Sequence, residues 1–271
     1  MNTAVPKISS SGKSSTATKM LQIPSEETVI VVPCYNEASR FPKQKYLDFI
    51  RKSSGFGVLF VDDGSTDNTF QVLNELKAHQ PQRLEILKLE KNSGKAEAVR
   101  QGFLEVMNRS KSKFVAFWDA DLATPLELLP DFMNILSQNK NIEMVLGARV
   151  KLMGRNIKRR AHRHYLGRIF ATCVSLALNL KIYDTQCGAK VFRITETLKT
   201  IFAVPFKSKW IFDVEILARF LKEKKVSPNE AENLIYELPL SEWQDIAGSK
   251  VRPKDYLTAA KELVGIYLNY R

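Results

Sequence analysis

Cysteine is scarce. The 271 residues hold three, Cys34, Cys173 and Cys187, an odd number with no CxxC spacing. That argues against a disulfide framework or a zinc site and fits a reducing compartment. Cys34 and Cys187 read as small packing residues. No run of about 18 uncharged apolar residues occurs, so no transmembrane helix is expected. The first residues are rich in Ser and Thr, with Lys7, Lys13 and Lys19, but have no apolar h-region, so they do not form a secretory signal. Arginine is absent before Arg40, which weakens a transit-peptide reading and favours a disordered leader over residues 1–25. There is no internal repeat. Acidic residues are missing altogether between Glu143 and Asp184.

Ordinary amounts of hydrophobic (44%) and charged (26%) residues indicate a globular protein with a sizeable core. The net charge of +12 points to polyanionic partners: nucleotide phosphates, an anionic membrane surface or nucleic acid. Nucleic acid is the poorest fit, because basic clusters interleaved with exposed aromatics are absent and no nucleic-acid-binding fold is recognisable.

Apolar strand-like runs alternate with helical patterns. Strands are expected at Thr28–Val32, Val58–Val61, Leu84–Leu89, Phe114–Trp118 and Met144–Gly147. Helices are expected at 44–52, from a cap at Thr66 or Asp67 through Leu76, at 94–107, from Pro125 through Leu136, at about 165–180 and at 211–222. This alternation predicts an α/β fold with a doubly wound, mostly parallel sheet flanked by helices, forming one catalytic domain over 26–255 with a C-terminal helix at 256–271.

Two of the apolar runs end abruptly in paired carboxylates: Val61-Asp62-Asp63-Gly64 and Trp118-Asp119-Ala120-Asp121. Open α/β sheets bind ligands beyond the carboxyl ends of their strands. Asp119 and Asp121, one residue apart, can converge on one hard divalent cation, Mg²⁺ or Mn²⁺, which typically takes one or two carboxylates and leaves other positions for substrate phosphates. Pro33-Cys34-Tyr35-Asn36-Glu37 follows the first strand, where Tyr35 can stack on a base and Asn36 or Glu37 can meet ribose or base edges. Asn92-Ser93-Gly94-Lys95 lacks the first glycine of a Walker loop and is not one. Lys95 at a helix start can still neutralise a phosphate.

The series VVPCYNE, VDDGSTD, NSGKAEAVRQG and WDADLATP resembles the family-2 glycosyltransferases of GT-A fold, with Asp119-Ala120-Asp121 matching their DxD element. Asp184-Thr185-Gln186-Cys187-Gly188-Ala189-Lys190-Val191-Phe192, Lys209–Glu215 and Trp243–Lys250 are similar to elements of the dolichyl-phosphate glucosyltransferases and related polyprenyl-phosphate enzymes. Lys209 and Ala189 stand where those enzymes have Arg and Phe. This chain also begins with a polar leader where they usually carry a membrane anchor.

The resemblance implies a metal-dependent inverting hexosyltransferase. It would pass glucose from UDP-glucose to a polyprenyl or dolichyl phosphate, as a cytoplasmic protein held peripherally at the cytosolic face of a membrane. A saccharide hydroxyl as acceptor is the alternative, and an inactive binding protein of the same fold a remote one. Asp62 would hold the uracil, with Asp63, Pro33, Tyr35 and Glu37 about the nucleoside and Ala120 beside the donor. Asp119 and Asp121 would bind the metal, and Lys95 would add positive charge. Asp213 or Glu215 matches the region where relatives place a general base. With a phosphate acceptor, whose second pKa is about 6, Asp213 would instead position a sugar hydroxyl. Arg149 and Arg163 match arginines facing the acceptor phosphate, joined by Lys250. The basic 149–168 stretch abutting an apolar helix suits anionic lipid.

Overall fold

A computed structural model describes residue 24 and residues 26–158, 161–246 and 253–270, without the side chains of 161–163 and 253–256. Apart from Pro24, the expected leader over residues 1–25 lies outside these residues.

The chain begins with β1 (Thr28–Cys34), α1 (Lys43–Lys52), β2 (Phe56–Asp62), α2 (Thr69–His79), β3 (Leu84–Lys88), α3 (Lys95–Arg109) and β4 (Phe114–Trp118). A 3-10 turn at Leu126–Leu128 leads into α4 (Leu129–Gln138), followed by β5 (Met144–Ala148), β6 (Asn156–Lys158) and α5 (Ala161–Leu178). Then come β7 (Ala189–Arg193), α6 (Glu196–Ala203), α7 (Phe212–Lys224), α8 (Pro228–Ala231), β8 (Ile235–Pro239), β9 (Glu242–Gln244) and α9 (Pro253–Tyr270). Seven strands form one sheet in the order β3-β2-β1-β4-β7-β5-β8, and β6 and β9 make a small parallel pair.

The continuous apolar strands follow from burial on both faces. In β1, Ile30 and Val32 join a core under α1, α2 and α4, while Val29 and Val31 join a second core under α3, α5, α6, α7 and α9. β1 pairs in parallel with both β2 and β4, so the strand order reverses at β1 and a crevice opens at their carboxyl ends. β7 is the one antiparallel member, running against β4 and β5. The loop before β7 therefore returns to the crevice from the opposite direction.

Boundaries differ at several ends. α2 starts at Thr69 with Asn68 at its cap and no side-chain cap bond, because Asp67 accepts the Thr69 amide (2.9 Å) and the Ala38 amide (3.2 Å) and so ties two loops instead. Pro125 opens the 3-10 turn, and the α-helix begins four residues later. The apolar helix starts at Ala161 and the last helix at Pro253, each earlier than expected. α9 buries Ala259 and Ile266 in the second core. No described helix is long and apolar enough to cross a membrane.

Candidate active site

The crevice is a cavity of about 730 Å³, within the range of small-molecule sites. Three strand ends build one wall. The Asp63 amide bonds to the Cys34 carbonyl (2.9 Å), joining the loops after β1 and β2. Asp63 then accepts the amides of Ser93 (2.7 Å) and Gly94 (2.8 Å), pinning the loop after β3. Burial pushes the Asp63 carboxyl up, and these two amides oppose the rise. Gly64 permits the close approach: φ is +62°, and a Cβ there would meet the Lys91 backbone at 2.4 Å.

Asp63 lines the cavity, whereas Asp62 lies beneath it, fully buried, with Oδ1 accepting the Ser65 amide (3.1 Å). The other Asp62 oxygen is buried without a hydrogen-bond partner. Pro33, Tyr35 and Glu37 face the cavity from the loop after β1. Glu37 is clasped by Arg40 through Nε–Oε2 (2.5 Å) and Nη2–Oε1 (2.6 Å).

Asp119 and Asp121 follow β4 directly. The Asp119 amide bonds to the Gly188 carbonyl (2.9 Å), so the carboxylate rests on Gly188 at the head of β7. A Cβ on Gly188 would meet Asp119 Oδ2 at 1.9 Å. Lys95, from the first residue of α3, places Nζ 2.6 Å from Asp119 Oδ1. Crowding by protein opposes the Lys95 charge, but Asp119 and then Asp213 outweigh it and hold the ammonium above the usual lysine range. The Asp121 carboxyl is raised, chiefly by burial and then by the charge of Asp119.

On the far side, Asp213 in the first turn of α7 pairs with Lys190 of β7 (2.7 Å), both almost fully buried. Lys190 Nζ also donates to the Cys187 carbonyl. Glu215 does not line the cavity. Fully buried, it accepts the amides of Lys207 (3.1 Å) and Ser208 (2.7 Å), the Tyr270 hydroxyl (2.8 Å) and Arg219 Nη2 (2.7 Å), the bonds of a structural anchor. Of the two carboxylates proposed as a base, only Asp213 reaches the site.

Arg149 lines the cavity with its guanidinium held bidentately by Asp184, at 2.6 and 2.8 Å, and lying 5.3 Å from the Trp243 ring centroid. Burial works against its charge, but Asp184 prevails and keeps it more firmly protonated than an ordinary arginine. The Arg163 side chain and Lys250 lie outside the described residues. Ala120 also lines the cavity, so Pro33, Tyr35, Glu37, Asp63, Lys95, Asp119, Ala120, Asp121, Arg149 and Asp213 share one enclosure.

Sequence reasoning missed Arg40, Lys190 and Glu262. Arg40 stands three residues from Glu37, and Lys190 lies within the Asp184–Phe192 motif, so both had a local signal. Glu262 had none: from α9 it accepts the amides of Lys209, Trp210 and Ile211 at 3.0–3.1 Å, fixing the loop at the cavity edge. Cys34 and Cys187 are buried packing residues, and burial drives both thiols up, Cys187 to about 11.

This sheet order, with acid pairs at the carboxyl ends of β2 and β4, defines a nucleotide-sugar-dependent glycosyltransferase of GT-A fold. The sequence profile of glycosyl transferase family 2 matches residues 29–198, and the chain belongs to that family. The dolichyl-phosphate beta-glucosyltransferase of Saccharomyces cerevisiae is 33% identical, covering 89% of this chain and 74% of the relative. That of Drosophila melanogaster is 34% identical (91% and 76%), and that of Homo sapiens 29% identical (97% and 82%).

Among solved structures, glucosyl-3-phosphoglycerate synthase from Mycobacterium tuberculosis, bound to Mn²⁺, UDP and glucosyl-3-phosphoglycerate, superposes with a TM-score of 0.61 at 17% identity (90% of this chain, 80% of that one). A Pyrobaculum calidifontis mannosyltransferase with GDP-Man and Mn²⁺ gives 0.58 at 17% identity (92% and 66%). At these identities the two structures speak to fold alone.

Proposed function

We propose that the chain transfers glucose from UDP-glucose to a dolichyl or other polyprenyl phosphate at a membrane surface, with Mg²⁺ or Mn²⁺ at Asp119 and Asp121. The observation that carries this reading is a single cavity that joins the Asp119/Asp121 pair to an apolar end lined by Leu166, Phe170 and Trp210. The names of the relatives supply the sugar and the lipid class.

The nucleoside would lie along Pro33, Tyr35 and Glu37. Asp63, at the cavity surface, takes over from Asp62 as the acceptor for a base N–H, since each of its oxygens keeps a lone pair beyond the amide it accepts. The carboxylates fit a hard cation: two aspartates one residue apart, with no group of three or more His, Cys, Asp or Glu side chains among the described residues, leave room for phosphate and water ligands. A bound Mg²⁺ or Mn²⁺ would neutralise the leaving diphosphate.

Lys95 would move its ammonium from Asp119 toward the diphosphate as the bond from the sugar C1 to the diphosphate oxygen breaks and its electron pair passes to UDP. An acceptor phosphate oxygen forms the new bond to C1 from the opposite face, inverting the centre. A phosphate monoester with a second pKa of about 6 is mostly dianionic at neutral pH and needs no base. Asp213, oriented by Lys190, would then accept a hydrogen bond from a sugar hydroxyl.

The test is UDP or GDP release from UDP-glucose, UDP-galactose, UDP-N-acetylglucosamine and GDP-mannose, with Mg²⁺ or Mn²⁺, each with and without a polyprenyl phosphate. Release from UDP-glucose that requires the lipid phosphate is expected. Release only with a saccharide acceptor would replace the lipid reading and make Asp213 the candidate base.

A further inference from the structure

Helix α5 is apolar on both of its faces beyond its first turns. Phe170, Ala171, Val174 and Leu178 turn toward the core, yet Tyr165, Ile169 and Leu176 on the opposite side are 68%, 61% and 77% exposed. From Ile169 to Leu178 it carries no charge. A helix apolar all round needs a second apolar neighbour.

α9 repeats the pattern beside it. Ala259 and Ile266 are buried, while Leu257, Val264 and Leu268 are 70%, 59% and 74% exposed. Leu166 and Ala171 of α5 and Ala259 of α9 line the active-site cavity together. Leu176 and Ala177 meet Ile266 and Tyr267 in a second cavity of about 410 Å³. The two helices therefore run side by side in the same direction, with the amino-terminal part of each at the active-site cavity.

The surroundings of this face are basic. Lys207 and Lys222 both reach Asn269 near the end of α9, at 2.6 and 3.1 Å. Lys209 and Trp210 are held beside α9 by Glu262, whose carboxylate is spent on their amides. Lys261 lies on the exposed side of α9 itself, and the described exposed residues of both helices include no carboxylate.

We infer that the outer faces of α5 and α9 form a docking surface for an anionic lipid bilayer, which would bring the cavity that both helices line close to the lipid. Paired apolar stripes rimmed by lysines match the interfacial mode of binding, apolar residues at the acyl boundary and ammonium groups among anionic headgroups. Trp210 at the rim is the amphipathic residue favoured at that depth. The inference rests on the proposed lipid acceptor for its purpose, but its test needs no turnover.

The full chain would be sedimented with vesicles of phosphatidylcholine alone and of phosphatidylcholine with 30 mol% phosphatidylserine. Binding to the anionic vesicles, weakened at least tenfold in Ile169→Glu/Val264→Glu while UDP binding persists, is the expected result. A milder pair, Leu176→Ser/Leu268→Ser, serves if the first does not fold, with a several-fold loss expected. Lys207→Glu/Lys261→Glu should remove the preference for anionic over neutral vesicles. Failure of the unaltered chain to bind vesicles would overturn the inference. So would a concentration-dependent dimer, seen by analytical ultracentrifugation and abolished by the same substitutions, which would make the occupant a second copy. Vesicle binding with no lipid-dependent UDP release would keep the docking face and remove the proposed acceptor, and the converse would do the reverse.

Discussion

Gly188→Ala is the sharpest single test of how the acid pair is held. The added methyl would lie 1.9 Å from Asp119 Oδ2 and 2.1 Å from its Cγ, so the carboxylate must retreat by about 1.5 Å to reach ordinary contact. Gly188 has no positive φ, so alanine costs nothing in backbone conformation and the whole effect is steric. The Asp119 backbone cannot yield freely, since its amide is bonded to the Gly188 carbonyl immediately beyond the β4–β7 ladder. Overpacking of this kind costs about 1–3 kcal/mol of stability. A displacement of about 1 Å at a reacting centre can cost about 100-fold in rate.

Turnover of UDP-glucose, calorimetric titration with UDP in the presence of Mn²⁺, and thermal unfolding measure the three consequences. Asp119→Ala removes the atoms that clash, so the stability penalty of Gly188→Ala should shrink in that background, a non-additivity expected of direct contact. Wild-type turnover in Gly188→Ala, or an unchanged penalty when Asp119→Ala is also present, would refute the reasoning.

Three further outcomes are expected. Lys95→Met should let Mn²⁺ alone bind several-fold more tightly, by releasing Asp119 Oδ1, while lowering turnover by about 100-fold through loss of charge at the leaving group; electron paramagnetic resonance of free Mn²⁺ reads the first and UDP release the second. Glu215→Gln should destabilise the protein by about 3 kcal/mol at pH 7, because Arg219 keeps its buried charge without the opposing one. Burial alone would raise Glu215, but the Ser208 and Lys207 amides and the Tyr270 and Ser208 hydroxyls outweigh it and lower its carboxyl; that stability is present above the unfolded value of about 4.3 and is lost as pH falls through the folded one, so denaturation curves of the two proteins should converge in acid. Asp213→Asn should reduce turnover by about tenfold or less with a phosphate acceptor, whereas removal of a general base would cost about 100- to 10,000-fold and change the pH–rate profile.

Local pattern carried the first half of the fold. Phe114–Trp118 is an apolar run bounded by Lys113 and Asp119, and β4 occupies those residues. The acids after β2 and β4 converge because only β1 separates those strands, an order that the alternation of strands and helices does not by itself specify. The second half was less legible because its order is non-local. β7 enters the sheet antiparallel between β4 and β5, and nothing in Asp184–Phe192 itself announces two partners 75 and about 45 residues upstream in register. The same register sets Gly188 under Asp119. Arg149 stands in an acid-poor stretch, and its partner Asp184 lies 35 residues further on. The α2 cap was misplaced because Asp67 spends its carboxylate on another loop.

The charge inside the site runs against the charge of the chain. Of the described residues lining the cavity, Glu37, Asp63, Asp119, Asp121, Asp184, Asp213 and Asp245 are acidic, against Arg40, Lys95, Arg149 and Lys209, in a protein of net charge +12. Most of these cations are already engaged: Arg40 by Glu37, Lys95 by Asp119 and Arg149 by Asp184. A nucleoside diphosphate entering such a cavity brings its own negative charge beside Asp119 and Asp121, whose mutual repulsion, added to burial, already raises the Asp121 carboxyl. Coulomb repulsion over a few ångström, weakly screened inside a cleft, opposes that approach. A divalent cation held by the acid pair would turn the repulsion into attraction, and the surrounding positive field would then favour the anionic substrate's approach from solution. Chelation of the metal should therefore weaken UDP binding itself by at least tenfold, in a calorimetric titration without any acceptor. Asp121→Asn, which removes one of the negative charges, should make the metal-free protein bind UDP more tightly than the unaltered chain while losing the gain that metal provides. Equal UDP affinity with and without metal in the unaltered chain would show that the acids do not repel the donor and would remove the electrostatic case for the cation.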